Sequence, residues 1–373
     1  MAFFRPPNSA SGPAKQQLNR QPPLTLTSPQ MVAEHVPCTL HNSILPPDVA
    51  CRLFYEMLHR SRDWKQNKWW LFDRVVASPH RTAFFVRTEP SEDMKEAAQY
   101  WYNGRKTDPP PQFPPAMEEA CQIVERVVNE EMRERKRYPL EWGGYPCEED
   151  EEPEIWRANV AASNCYAGAK ESVGFHSDQL TNLGPYPTIA SLSLGVGRIF
   201  RLREVIPTDE KDKRAARTYN IPLKHNSLVI MHASCQEMYK HCVPVQNTID
   251  IFHPPFPPPP DLVEEDADGR LSDSSNARIN ITFRFYRPDF RSQTIPKCKC
   301  NVPCILRPDM KNRYEEAPES SQDASRSLVA KYWWTCYAGA QNEGKGCGYW
   351  KVMDVQAEGR GPFVGDVSTS RPP

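Results

Sequence analysis

With 373 residues and a formal net charge of −1, the chain is long enough for two domains and one large core but carries no overall basic field. No apolar run approaches the roughly eighteen residues a membrane span needs, so no membrane partner is expected. The first residues, Met1 to Pro7, lack a hydrophobic signal core, and the twelve cysteines are expected to be reduced or metal-bound, in the nucleus or cytosol.

Residues 1–35 are rich in Pro, Gln and Ser and read as a disordered tail. Behind two prolines, Val49, Leu53, Tyr55, Met57 and Leu58 recur near helical spacing and predict a first helix over 45–60. A second helix is predicted over 116–136, where Ile123, Val124, Val127 and Val128 are apolar. Its basic end, Arg133 to Arg137, suits a solvated helix terminus favoured by the dipole, a phosphate-contacting face or a nuclear import signal. Strands dominate between residues 155 and 290, interrupted at 253–276 by a proline-rich and then acidic stretch that reads as a disordered insertion. Helices first and strands after make the class α+β, without internal repeats.

Two segments inside the strand region carry chemistry. In an extended strand His176 and Asp178 project from one face and can grip a single ion. A neutral imidazole and a hard carboxylate suit Fe(II), and a further histidine would complete a trio that leaves positions open. A surface turn is the plain alternative for so short a pattern. His225, His232, His241 and His253 all follow Asp178 and are the candidates for the third ligand. The second segment, 278–286, alternates Arg278, Asn280, Thr282, Arg284 and Tyr286 with Ile279, Ile281, Phe283 and Phe285. This is a β-strand by period, and its polar face is either a solvated edge or a donor-rich cradle for a dicarboxylate.

The ordered set Asn164-Cys165-Tyr166, His176-Ser177-Asp178, a distal histidine, and Arg278-x-Asn280-x-Thr282-Phe283-Arg284 resembles the AlkB family of nucleic-acid dealkylating dioxygenases. So do Leu45 to Asp48, Ser78 to Phe85, and Ile189 to Gly195 with the strand from Arg198, so that the likeness covers roughly residues 40–292. The resemblance implies a double-stranded β-helix (jelly roll) holding Fe(II) on His176, Asp178 and His241. His232 is the fallback for the third ligand. It further implies 2-oxoglutarate held by Asn164, Tyr166 and Asn280, with Arg278 on its distal carboxylate and Arg284 near the metal-bound end. Trp64, Trp69, Trp70, Phe72 and Arg81 fall where such enzymes cover a base, and Trp69, Trp70 and Arg81 are the expected substrate contacts. The implied reaction is oxidative demethylation of N-methylated bases, on single strands or on a flipped base. DNA and RNA, repair and regulation, and the identity of the base all stay open. A protein hydroxylase of the same superfamily, a noncatalytic nucleic-acid-binding protein and a methyl-base reader are the rivals.

Beyond this region lie Cys298, Cys300, Cys304, Cys336 and Cys347, among few apolar runs. Such a segment folds readily only around a metal, and four thiolates suit Zn2+. Spacing alone would pair Cys300 with Cys304. The wider pattern, with Pro303, Leu306, Arg307, Trp333-Trp334-Thr335-Cys336 and Cys347-Gly348-Tyr349-Trp350, resembles the GRF zinc finger, whose ligands match Cys298, Cys300, Cys336 and Cys347. Cys304 is then a spare thiol. Ala330-Lys331-Tyr332 stands where that family has Gly-Arg before its aromatic pair. Tyr332, Trp333, Trp334, Tyr337, Tyr349 and Trp350 lie among Lys331, Lys345 and Lys351, and such rings either pack around the metal or stack on unpaired bases. The resemblance implies a single-strand-binding finger. The expected organisation is a tail (1–35), a dioxygenase domain (36–292), a zinc finger (293–356) and a second disordered tail (357–373), in a monomeric nuclear protein.

Overall fold

The computed structural model describes residues 21–71, 73–87, 101–102, 105–106, 109–144, 155–262, 274–316, 326–329, 331–340 and 342–369. In chain order the principal elements begin with β1 (Leu24–Thr25), α1 (Pro29–His35), β2 (Cys38–Asn42), α2 (Pro47–Arg60), β3 (Lys65–Leu71), β4 (Arg74–Val86) and α3 (Pro115–Glu134). There follow β5 (Val160–Ala167), β6 (Val173–His176), β7 (Ile189–Gly195), β8 (Arg198–Glu204), β9 (Thr218–Leu223) and β10 (Ser227–Met231). A four-residue helix, α4 (Cys235–Met238), leads into β11 (Tyr239–Val243), and β12 (Ala277–Arg284) closes the catalytic part. The C-terminal part contributes β13 (Ile305–Pro308), β14 (Tyr332–Thr335) and β15 (Trp350–Val352).

Seven strands form the large sheet in the order β2-β10-β7-β12-β5-β4-β3. Five form the small one, β1-β9-β8-β11-β6, antiparallel except where β1 runs parallel to β9. Alternation sorts their side chains. Leu228, Ile230, Ile279, Ile281 and Phe283 join α2 and α3 in one core, while Val229, Met231, Phe200, Leu202 and Ile221 fill the other. Each buried Ile or Phe is worth about 1.5–3 kcal/mol, so a slip of one register place would cost both cores at once. This sheet-rich architecture, helices on one face and a second sheet on the other, is consistent with a jelly roll. At the end of β7, Gly195 takes φ +86, and a Cβ there would meet the Ala277 carbonyl at 2.4 Å.

Three boundaries read from composition need correction. Residues 21–35 are not a free tail: Leu26 and Val32 are fully buried, Leu24 pairs with Tyr219, and Ser28 caps α1 by accepting from the Met31 amide at 3.2 Å. A few apolar side chains in a polar stretch suffice once a sheet edge receives them; residues 1–20 lie outside the described residues. Residues 357–366 are likewise packed, with Phe363 bridging to Trp142 and the guanidinium of Arg360 over the Trp334 ring at 5.1 Å. At the insertion, 263–273 lie outside the described residues, but its roots are anchored by the Phe252–Ser275 bridge and by Tyr55 donating to the Phe256 carbonyl.

The C-terminal part also shares the interior of the catalytic part. Leu306, Tyr332 and Trp334 sit in the same core as Tyr186, Leu183 and Met231. The amide of Leu306 donates to Thr181 at 3.3 Å, and Tyr186 exchanges two hydrogen bonds with the backbone of Val329.

Candidate active site

Strand register brings the three predicted metal ligands together. His176 ends β6 and is the direct partner of His241 on β11, so the two rings face the same side, 4.3 Å apart. Asp178, two residues on, places Oδ1 at 3.5 Å from Nε2 of His241 and 3.9 Å from Nε2 of His176. The three ligand atoms lie within 4.8 Å of one another. A neutral, neutral and anionic donor set on one side matches a mononuclear divalent iron. The Nδ1 edge of His176 meets the Gly174 carbonyl at 2.8 Å, which leaves Nε2 for a metal. Desolvation of the ring and then His241 push the His176 imidazole below its usual range, although 41% of the side chain stays open to solvent. The direction keeps it neutral, the form that ligates. Burial alone would raise Asp178, but Arg284 and the histidines hold it well below the usual carboxylate range.

The polar face of β12 looks into the same interior. Arg278 pairs with Tyr166, Asn280 with Asn164, and Thr282 with Ala162 of β5. The Arg278 guanidinium is fully buried, with Nη2 donating to Ser193 at 2.8 Å and 5.5 Å separating it from the Tyr166 ring centre. Nε and Nη1 of Arg278 have no hydrogen-bond partner among the described residues. Two N–H edges left unpaired on a buried cation are costly, and a carboxylate is the group that would satisfy them. Burial keeps Tyr166 protonated, with its phenol pushed up to about 12, so it can only donate or accept a hydrogen bond. Asn280 donates to Ser191 at 2.9 Å, and Asn164 accepts from Thr82 at 2.7 Å. These contacts fit 2-oxoglutarate, whose far carboxylate would meet Arg278.

Arg284, expected near the metal-bound end of the co-substrate, stands beside the metal trio and holds Asp178. Nε and Nη2 grip Oδ2 of Asp178 at 3.1 and 2.7 Å. The sequence reading missed His80 and Arg198. The ring of His80 stacks on Tyr166 at 4.9 Å, and Arg198 lies 5.9 Å from the same ring while donating to the carbonyls of Gly168, Glu171 and Pro244. Neither carries a local signal, since His80 reaches Tyr166 through the strand pairing of β4 with β5 and Arg198 reaches it from the other sheet. His232, the fallback ligand, is engaged with Glu131 at 2.9 Å and Thr39 at 3.1 Å, away from the trio.

The expected substrate contacts divide. Arg81 pairs with Cys165, on the opposite face of the sheet from Thr82 and Asn164, and donates to the Ser61 carbonyl at the end of α2. It anchors a helix and does not line the cradle. Trp69 and Trp70 are half-buried neighbours on edge strand β3, opposite Val76 and Val75 of β4. This strand lies against the turn Ala338–Ala340 of the C-terminal part. Trp64 packs edge-on to Phe85, and Phe72 lies outside the described residues. The basic end of α3 is not a free cationic face either, because Arg135 and Arg137 both close on Glu141.

In the C-terminal part the Sγ atoms of Cys298, Cys300, Cys336 and Cys347 lie within 4.8 Å of one another, a tetrathiolate cluster that suits zinc. Cys304 is fully buried and stands outside this group. The amide of Tyr349 draws the Cys347 thiol down to about 6, toward the ligating thiolate. Tyr332 and Trp334 point into the core, whereas Trp333 and Trp350 stack on the outer face with ring centres 6.4 Å apart and Trp350 is 66% exposed.

This fold and site define a class. The chain belongs to the 2OG-Fe(II) oxygenase superfamily, whose family model matches residues 38–284. Among named relatives it is 34% identical over 134 residues to the Homo sapiens "Alpha-ketoglutarate-dependent dioxygenase alkB homolog 3", covering 36% of this chain and 38% of that one. It is 33% identical over 103 residues to the Arabidopsis thaliana "DNA oxidative demethylase ALKBH2", covering 24% of this chain and 33% of the relative. The matched stretch thus spans about two fifths or less of these relatives. A solved structure titled "The structure of OsALKBH1" aligns with 67% of this chain at 16% identity and a TM-score of 0.38, a likeness too distant to bear on function.

Proposed function

We propose that this oxygenase removes methyl groups from the ring or exocyclic nitrogens of bases in single-stranded or locally opened nucleic acid. The observation that carries the dioxygenase chemistry is the buried Arg278 with two unpaired N–H edges, on the sheet face that also reaches the His176, Asp178 and His241 trio. The relatives, a DNA oxidative demethylase among them, support the base-directed reading. When bound, Fe(II) with 2-oxoglutarate and O2 supplies the oxidising power that converts an N-methyl C–H bond to C–OH, from which formaldehyde leaves.

The chain's own residues do the rest. His176, Asp178 and His241 would hold the metal on one side and leave the other open. Arg278, Tyr166, Asn164 and Asn280 would orient the dicarboxylate. Arg284 keeps Asp178 ionised and turned toward the metal position. Trp69 and Trp70, on the hairpin at the sheet edge, are the proposed cover for the target base.

For the C-terminal part we favour a GRF-type finger with zinc on Cys298, Cys300, Cys336 and Cys347. The outward Trp333 and Trp350 pair, with Arg307 on the adjoining strand, suits stacking of unpaired bases. A monomeric state and work in the nucleus complete the proposal.

Formaldehyde and succinate release would be measured from the purified protein with Fe(II), 2-oxoglutarate and methylated single-stranded oligonucleotides. Matched release of both, absent from His176→Ala, is the expected result. Succinate without formaldehyde would move the search to protein substrates, and neither product from iron-loaded protein would replace the enzyme by a binding protein.

A further inference from the structure

The zinc cluster and the iron site are joined by one short relay. We infer that the C-terminal part positions the iron centre: the phenol of Tyr332, through Glu237 and its neighbour Gln236, fixes the backbone that carries Asp178 and His241. The inference rests on the reading of His176, Asp178 and His241 as metal ligands.

The relay is built on α4. Gln236 and Glu237 are both fully buried there, three and two residues before β11 begins. Oε1 of Gln236 accepts from the Asp178 amide at 2.7 Å. Oε1 of Glu237 accepts from the Tyr186 amide at 2.8 Å and from the Tyr332 phenol at 3.3 Å. Tyr332 opens β14, the strand that leads to the ligand Cys336, and its ring meets that of Tyr186 edge-on. His241 lies on the strand that α4 starts. Thus two of the three metal ligands hang on one four-residue helix, and that helix is tied to the zinc cluster's own strand.

A fully buried carboxyl is an expensive means of joining two surfaces that already share an apolar core. Oε2 of Glu237 has no hydrogen-bond partner among the described residues, so the group is only partly compensated. Apolar packing would hold the parts together at lower cost. A directional hydrogen bond adds a fixed orientation of α4, and hydrogen-bonded groups behind metal ligands govern affinity through such orientation. Tyr332 and Glu237 are on this account positioning residues, since neither touches the metal position.

The test is Mn(II) binding to the full-length, zinc-loaded chain, followed by the electron paramagnetic resonance of free Mn(II). Manganese suits the nitrogen and oxygen trio and competes poorly for thiolates. Tyr332→Phe keeps the ring and removes the donor; it is expected to weaken Mn(II) on the order of ten-fold, with zinc content and melting temperature close to wild type. Glu237→Gln is the second variant and keeps an acceptor, so its loss should be smaller. Val352→Ala, at an exposed position on the adjoining strand β15, should leave Mn(II) affinity unchanged. Wild-type affinity in both Tyr332→Phe and Glu237→Gln, with binding abolished in His176→Ala, would overturn the relay and spare the ligand assignment. Equal weakening in Val352→Ala would also overturn it, by showing a diffuse effect. No Mn(II) binding by the wild type would remove the ligand reading and the relay with it.

Discussion

Arg284 grips one oxygen of Asp178 with two N–H groups, at 2.7 and 3.1 Å, and so leaves the other oxygen turned toward His241 and His176. The pair divides the carboxylate between a structural clamp and a candidate metal position. A long side chain from β12 on the large sheet thereby orders a ligand beside the small sheet's edge.

Arg284→Lys should impair that division because a single ammonium cannot reproduce the two-pronged geometry. Fe(II) affinity is expected to fall about 10- to 100-fold, as for other groups that orient ligands. Anaerobic calorimetry would measure it, and full affinity in the lysine variant would show that charge alone suffices.

Arg278→Ala should raise the 2-oxoglutarate requirement far more than the oligonucleotide requirement. Losing a buried charge-assisted pair costs about 2–5 kcal/mol, or well over ten-fold in affinity. Succinate production against each substrate concentration separates the two. A change confined to the oligonucleotide would reassign Arg278 as a phosphate contact.

The fourfold thiolate set distinguishes its members from Cys304. Cys336→Ser should lower both zinc content and thermal stability, since β14 carries Tyr332 and Trp334 into the shared core. Cys304→Ser should leave zinc at one per chain. Metal analysis of both proteins decides it; a zinc loss in Cys304→Ser would redraw the ligand set.

Two tryptophans next to the cluster should behave oppositely. Trp350→Ala, on the exposed face, is expected to weaken single-strand binding by about 1–3 kcal/mol with little change in melting. Trp334→Ala should cost about 3–5 kcal/mol of stability through its cavity. Fluorescence anisotropy and urea titration on the same samples would reveal an exchange of these effects.

Glu131 makes stability depend on acid. Burial would raise its pKa, yet hydrogen bonds from His232, His41 and Thr39 hold it down to about 2, below its ordinary 4.5. The folded value is depressed, so the stabilisation is present above pH 4.5 and is lost as pH falls toward 2. Glu131→Gln should therefore lose on the order of 1–3 kcal/mol at neutral pH, a deficit that shrinks in acid. Parallel stability profiles for the two proteins from pH 7 to 3 would refute this.

Much of the site is written locally in the chain. Strict alternation from 278 to 286 assigns Arg278, Asn280 and Arg284 to one face and Ile279, Ile281 and Phe283 to a core, because a strand's period is two wherever it lies. His176 and Asp178 are close because only one residue separates them, although the strand itself ends at His176. The thiolate cluster is also foreshadowed, since a polar stretch with so many cysteines has few other ways to order itself. The third candidate ligand is different: resemblance favours His241 over His232, and the structure separates them by register, pairing His241 with His176 and turning His232 toward Glu131.

The remainder required the tertiary fold. Whether Arg81 or Thr82 faces the cradle depends on the phase of β4 against β5, a long-range pairing that no local pattern encodes. Burial of Leu26, Phe363 and Arg360 depends on distant elements arriving to cover them, so composition alone made those stretches look unstructured. Alternation is a property of the backbone and is legible in one strand. Register, and the contact of α4 with Tyr332 across the two parts of the chain, are free-energy choices among many pairings and exist only when the whole core is assembled.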